Sequence, residues 1–199
     1  MEVRDRIVEE ATLQFFKYGI RSVTMDDIAA SLGISKRTVY ETFKDKTELV
    51  HTCLKRLMQV QDKKNQEVIS GSANDIEAIF LFMQEGIKAM NAINPVFFVD
   101  MKKYYLPIWK LLHEENKEKT YRMTHTMLRK GVNEGLFRKD INISIVSKLF
   151  HEQANLVSDD RIFPREEFVL SEVYQNLIIN FTRGISTNKG IEIIDKILD

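Results

Sequence analysis

The sequence contains one cysteine, Cys53, among 199 residues. A single thiol cannot form a disulfide within the chain, and it excludes a cysteine-rich metal cage. Leu49 and Leu57 lie four residues to either side, the spacing of one helical face. We therefore expect a buried structural thiol and not a reactive one.

Proline and glycine are scarce as well, with three and eight residues. No alternating β-branched run stands out, and apolar residues recur at steps of three and four almost throughout. That period is typical of amphipathic helices and does not fit strands. The composition and the period together predict an all-α chain.

Long apolar runs are absent, since none approaches the ~20 residues that a helix needs to span a bilayer. The amino-terminal residues also lack the basic, apolar and small-residue order of a signal peptide. We expect a cytoplasmic protein without a membrane partner.

Net charge is absent too, because 29 basic residues balance 29 acidic ones. This balance counts against a protein that binds nucleic acid over its whole surface. Residues 36–46 nevertheless hold four basic side chains against two acidic ones. Any contact with nucleic acid would therefore be local.

Two short helices are predicted in this part of the chain. Thr24 and Asp27 have the spacing of a capping box, and Gly33 ends the helix that they begin. Ser35 then caps a helix over 36–42. Helical spacing assigns the apolar residues of this region to a small core: Ile28, Leu32, Val39, Phe43 and Leu49.

Helices joined by a tight glycine turn are the helix-turn-helix device, in which the second helix enters the DNA major groove. An ordinary helical hairpin is the alternative on that evidence alone. The string TMDDIAASLGISKRTVYETFKDKTEL, residues 24–49, extends the pattern. Within a match over about residues 5 to 50, it closely resembles the signature of the TetR family of transcriptional regulators.

The resemblance implies a homodimer with a three-helix DNA-binding domain and a helical effector and dimerisation domain. We place these domains at 1–48 and 49–199. The resemblance further implies a palindromic double-stranded DNA operator and a small-molecule inducer. The matching positions imply DNA contacts at Lys36, Arg37, Thr38, Tyr40 and Lys46, with Thr24 near the backbone.

Side-chain chemistry assigns these residues similar roles. Lys36 and Arg37 lie in the first turn of the helix, and arginine can present two parallel donors to guanine, so we expect base readout there. The remaining polar groups can donate to phosphate oxygens: the Ser35 and Thr38 hydroxyls, the Tyr40 phenol and the Lys46 ammonium. Tyr40 could instead be a half-buried core residue, but the resemblance favours the phosphate contact.

The rest of the chain is predicted to form six further helices. Their expected ranges are about 45–70, 76–90, 107 to 131 or 135, 141–158, 165–183 and 191–197. Residues 95–106 form an aromatic segment between two of them, because Asn94 and Pro95 end one helix and Pro107 starts the next.

Aromatic and methionine side chains concentrate around this segment, which suggests a largely apolar effector pocket. Core packing is the simpler explanation for any one of them. The expected pocket residues are Phe80, Met83, Phe98, Tyr105, Trp109 and Met127.

Large apolar residues near the carboxyl terminus favour a homodimer in which four helices pack across a twofold axis. They could equally be core of the single chain. The residues concerned are Leu149, Leu156, Phe168, Leu177, Ile178 and Phe181.

No catalytic signature is complete. His151 and Glu152 begin like a zinc-protease motif, but Asn155 stands where the second histidine would be. The sequence has no phosphate-binding glycine loop, so we expect no enzyme activity, cofactor or metal. The rival to a DNA-binding repressor is a helical ligand-binding or scaffolding protein, which would have no need of the basic cluster at 36–46.

Overall fold

A computed structural model of the chain describes residues 2–157, 159 and 161–199, apart from the side chains of residues 113 and 115. Within these ranges the secondary structure is helical apart from one isolated bridge between Phe137 and Ser186. The helices are α1 (Val3–Tyr18), α2 (Met25–Leu32), α3 (Lys36–Thr42), α4 (Lys46–Gly71), α5 (Asp75–Ala92), α6 (Pro95–Tyr104), α7 (Leu106–Asn133), α8 (Ile143–Val157), α9 (Leu170–Ile185) and α10 (Asn188–Leu198). The all-α prediction is confirmed. No helix in the described ranges is long and apolar enough to cross a membrane.

Two segment predictions were wrong. The aromatic segment at 95–106 contains a helix, α6, because Pro95 occupies its first turn and Asn94 accepts a hydrogen bond from the Val96 amide at 3.0 Å. Helix α9 begins at Leu170 and not near 165, since Val169 has extended backbone angles. The predicted end of the preceding helix, residue 158, lies outside the described residues.

The limits of α2 and the start of α3 lie where the local signals place them. The Thr24 hydroxyl accepts from the Asp27 amide at 3.1 Å, and the Asp27 carboxylate accepts from the Thr24 amide at 2.7 Å, which completes the capping box. Gly33 then closes α2 in the left-handed region, with φ 63° and ψ 30°. The Ser35 hydroxyl accepts from the Thr38 amide at 3.0 Å and starts α3.

The chain divides into two compact units, and the first comprises residues 1–62 and 92–115. Its core joins α1, α2, α3 and the start of α4 to α6. Cys53 is 3% exposed in this core, so the buried thiol is confirmed. The predicted core residues Ile28, Val39, Phe43 and Leu49 are fully buried, and Leu32 packs against them.

The second unit comprises residues 63–91 and 116–199. Helix α9 packs against both α8 and α10 in this unit. The Arg138 amide donates to the Ile185 carbonyl and the Thr187 amide to the Leu136 carbonyl, both at 2.9 Å. These two bonds tie the segment after α7 to the junction between α9 and α10.

Candidate DNA interface

Helix α3 has one buried face and one exposed face. Val39 and the following Phe43 are fully buried, and they orient the helix on the core of the first unit. Lys36 and Arg37 lie at its amino end with side chains that are 61% and 86% exposed. The two residues expected to read bases are therefore accessible and adjacent on one turn.

Both basic side chains form ion pairs at the surface. The Lys36 ammonium lies 2.5 Å from Asp26 on α2, and this hydrogen-bonded carboxylate raises the pKa of Lys36. The Arg37 Nε donates to Glu41 at 2.7 Å. Exposed pairs contribute little to stability, so DNA groups can replace them. The contact with Glu41 is made by Nε and not by the two terminal guanidinium nitrogens that could form a fork with guanine.

Two of the hydroxyl groups expected to contact phosphate lie at the start of α3. The Ser35 and Thr38 side-chain oxygens are 2.8 Å apart, and Thr24 is exposed at the start of α2. Tyr40 is 48% exposed and is not among the residues that form or pack against the core of the first unit. Its phenol is accessible to a phosphate oxygen.

Lys46 occupies a different environment from the other predicted contacts. Its half-buried ammonium donates to the carbonyls of Ile20, at 2.5 Å, and Val23. Burial lowers the pKa of Lys46, while the charges of Asp100 and Asp27 act in the opposite direction. The structure therefore places this ammonium against backbone carbonyls of the segment between α1 and α2.

Arg4 also contributes to this region, and its role was not predicted. Its guanidinium donates to the Thr42 carbonyl at 3.2 Å and lies 4.4 Å from the centre of the Phe43 ring. These contacts hold the last turn of α3 against α1. No local sequence signal marks Arg4, because its partners lie 38 residues or more along the chain.

The six residues predicted for an effector pocket fall in different units. Phe98, Tyr105 and Trp109 pack against the core of the first unit, where the Phe98 and Trp109 ring centres are 6.3 Å apart. Phe80, Met83 and Met127 are buried in the second unit. Their burial agrees with a packing role for each residue taken singly, and their contact with a ligand stays a prediction.

The residues predicted for dimerisation also divide into two groups. Leu149, Leu156 and Phe168 are 52%, 44% and 40% exposed. Ile178, in contrast, is 2% exposed and belongs to the core of the second unit, and Leu177 and Phe181 pack partly against that core. An open groove of about 730 Å³ lies between α8, residues 163–169 and α9.

Comparison with known proteins bears on this interface. Residues 7–53 match the family described as bacterial regulatory proteins, tetR family. The chain is 25% identical over 191 residues to the HTH-type transcriptional repressor KstR2 of Mycolicibacterium smegmatis, which covers 94% of this chain and 92% of that protein. The relative is named as a repressor.

Solved structures share the fold. A transcriptional regulator of the TetR family from Cytophaga hutchinsonii superimposes with a TM-score of 0.71 at 14% identity, covering 93% of this chain and 95% of that one. The ketosteroid transcriptional regulator KstR2 of Mycobacterium tuberculosis gives a TM-score of 0.56 at 21% identity, covering 94% and 96%. The helix-turn-helix at 24–42 lies within the match over residues 7–53, so this part of the chain is similar to the bacterial regulatory proteins of the tetR family, and the chain as a whole is similar to a protein named as a transcriptional repressor.

Proposed function

We propose that the chain is a repressor that binds a palindromic operator as a homodimer and leaves it when a small apolar molecule binds. The observation that carries the DNA-binding half is the exposed pair Lys36 and Arg37 on the first turn of α3. Helix-turn-helix proteins read base edges with this end of the second helix.

Within this proposal the interface has two kinds of contact. Arg37 and Lys36 read bases, and the Arg37 fork pairs with guanine O6 and N7. The hydroxyls of Thr24, Ser35 and Thr38, with the Tyr40 phenol, bind phosphate oxygens and set the register of α3 on the duplex. Phosphate contacts add affinity for all sequences, whereas the two basic residues add discrimination.

A duplex selected from a random pool by the wild-type chain provides the operator, and a scrambled duplex of equal composition provides the reference. Arg37→Ala is expected to weaken operator binding by about 1 to 3 kcal/mol and to weaken reference binding much less. Lys36→Ala should act in the same direction. Titrations measure the affinity for both duplexes at the same salt concentration, since affinity for DNA depends steeply on salt.

The matched control is Lys189→Ala, which removes an exposed positive charge in the second unit. It should leave both affinities unchanged. Full operator discrimination by the Arg37 variant would refute base readout by that residue. If the wild-type chain selects no duplex, the scaffolding or ligand-binding alternative replaces the repressor.

The ligand half of the proposal concerns the region 49–199. An apolar inducer that contacts the Phe98 and Trp109 pair would change the emission of Trp109, the single tryptophan of the sequence. A tenfold loss of operator affinity requires that the inducer bind the released state more tightly by ~1.4 kcal/mol. An inducer that leaves Trp109 emission unchanged, and whose affinity survives Trp109→Ala and Phe98→Ala, would place its site elsewhere.

The homodimer is supported by the exposed apolar side chains on α8 and on residues 163–169, which border the groove beside α9. A second copy of the same surface across a twofold axis would cover them. A twofold dimer also presents two α3 helices to half-sites about 34 to 36 Å apart, or a multiple of that, which is why a palindrome is expected.

A further inference from the structure

Side chains from two distant helices bind the backbone of the turn that joins α1 to α2. This turn comprises residues 19–23. The Arg21 amide donates to the Asp100 carboxylate of α6 at 2.7 Å. The carbonyls of Ile20 and Val23 accept hydrogen bonds from the Lys46 ammonium, at the first residue of α4.

Helix α6 is held against this turn and the end of α1 by several contacts. The Asn94 amide donates to the Phe16 carbonyl at 2.8 Å, and the Asn94 side chain donates to the Lys17 carbonyl at 3.1 Å. A Cβ atom at Gly19 would lie only 2.7 Å from the Val96 side chain. These hydrogen bonds and the close packing at Gly19 leave α6 and the turn little freedom to move separately.

Asp100 and Lys46 carry opposite charges in the same partly desolvated region. Asp100 is 5% exposed, and its charge favours the ionised form of the half-buried Lys46. Loss of one member of such a set leaves the other charge without compensation, which is costly in a buried site. The two side chains therefore support one another as well as the turn.

The position of Lys46 in the chain gives these bonds a geometric consequence. Val23 immediately precedes the cap of α2, and Lys46 follows the end of α3 by four residues. The bond between them closes the base of the helix-turn-helix, and Asp100 anchors that base to α6. The direction in which α3 projects from the first unit then depends on contacts far from its exposed face.

We propose that Lys46 and Asp100 are positioning residues for operator binding. The hydrogen bonds between these two side chains and residues 20–23, here called the clamp, orient the helix-turn-helix without contact between either side chain and DNA. This inference rests on the proposed function, because it requires an operator. It assigns Lys46 a different role from the phosphate contact that the sequence analysis expects. Asp100 has no role in that expectation.

The two roles of Lys46 differ in their dependence on salt. Loss of a phosphate contact lowers the slope of log affinity against log salt by roughly 0.9. A positioning residue contributes no displaced counterion, so Lys46→Met should weaken operator binding roughly tenfold with the slope unchanged. A slope reduced by a full contact, with discrimination intact, would overturn the positioning role.

For Asp100, the proposed role and simple electrostatics predict opposite changes in operator affinity. Removing a negative charge strengthens attraction to DNA on electrostatic grounds alone. The clamp instead predicts that Asp100→Asn weakens operator binding severalfold, and that Asp100→Ala, which also removes the acceptor for the Arg21 amide, weakens it further. Asp140→Asn, at an exposed aspartate of the second unit, is the matched control and should not weaken binding. Unchanged or tighter binding by both Asp100 variants would refute the clamp.

Affinities are compared at a temperature where circular dichroism gives the same folded fraction for every variant. Hydrogen exchange then supplies a readout that does not depend on DNA. The Arg21 amide should exchange faster in Asp100→Ala than in the wild type, while amides in the middle of α1 keep their protection. Protection of the Arg21 amide in that variant would contradict the clamp. If the wild-type chain binds no duplex, the proposed function fails and not the clamp alone.

Discussion

Cys53 is a residue whose environment follows directly from its position on the buried face of α4. The thiol is 3% exposed, and burial raises its pKa from 9.0 to about 11. A buried, protonated thiol is a poor nucleophile because the thiolate is the reactive form. The rate at which this thiol reacts therefore reports on local unfolding of the first unit.

We predict that the folded chain reacts with Ellman's reagent at pH 8 only as fast as it unfolds locally. The raised pKa also makes a stability prediction, because between pH 9 and 11 the unfolded thiol loses its proton while the folded thiol keeps it. The protonated thiol therefore favours the folded state below pH 9. Roughly 2 to 3 kcal/mol of the free energy of unfolding is lost as the pH rises to about 11.

The control for this titration is Cys53→Ala, which lacks the thiol but keeps the other titrating groups. Urea unfolding of both chains at several pH values gives their difference in stability. That difference should shrink between pH 9 and 11. If the stabilities of the two chains change in parallel over this pH range, the thiol has the same pKa in the folded and unfolded states.

The burial of individual side chains of α3 was predictable, whereas the ion-pair partners of its exposed side chains were not. The four-residue spacing of Val39 and Phe43 indicated burial, and both are buried. The partner of Lys36 is Asp26, ten positions earlier on another helix. An acidic residue in the first turn of a helix is common for reasons of the helix dipole, so nothing marked Asp26 beforehand.

Among the helices, α10 meets its neighbours through a glycine. A Cβ atom at Gly190 would lie 2.4 Å from the Leu136 carbonyl oxygen and 3.0 Å from the Ser186 Cβ. The nearer obstacle is backbone, which cannot rotate away as a side chain can. This glycine lets the first turn of α10 approach the segment after α7.

We predict that Gly190→Ala lowers the free energy of unfolding by about 1 to 3 kcal/mol, because the added methyl group forces these backbones apart. Gly184→Ala is the matched control, since its Cβ would meet no atom within 4 Å and α9 would gain helix propensity worth up to ~1 kcal/mol. Urea denaturation midpoints measure both. Equal shifts for the two variants would contradict the close approach at Gly190.

Helix boundaries were predictable to different degrees. The start and end of α2 and the start of α3 depend on caps within a few residues, and these were predicted. Helix α6 was missed because Asn94 and Pro95 were interpreted only as a stop. The same two residues end α5 and begin α6, since Pro95 suits a first helical turn.

For the whole molecule, the exposed apolar surface of α8 bears on assembly. Leu149 and Leu156 are seven residues apart, two turns of one helical face, and both are about half exposed. The homodimer proposal requires that a second copy covers this face. Light scattering of the wild-type chain should therefore give the mass of a dimer at micromolar concentration.

We predict that the double variant Leu149→Glu, Leu156→Glu raises the dimer dissociation constant roughly hundredfold or more, because burial of four carboxylates replaces burial of four leucines. Leu13→Glu is the control, since Leu13 is 66% exposed on α1 in the first unit and should leave the dimer intact. A wild-type monomer that still binds operator, or a dimer unaffected by the double variant, would refute this interface.

The sequence by itself determined the features that depend on residues within one or two turns of each other. Helical periodicity, the capping box of Thr24 and Asp27 and the glycine turn at 33 belong to this group, and together with the resemblance over residues 24–49 they predicted the helix-turn-helix. Local dihedral preferences and short hydrogen bonds act before any packing occurs, so neighbouring residues encode them.

Tertiary structure decided the features that depend on which distant groups meet. The Lys46 ammonium finds carbonyls 23 and 26 positions away, and the Asp100 carboxylate finds an amide 79 positions away. Ile178 is core whereas Leu156, an apolar residue on the neighbouring helix, is exposed. Charge and apolarity are properties of a residue, but the partner that satisfies a charge and the surface that buries an apolar group are set by packing.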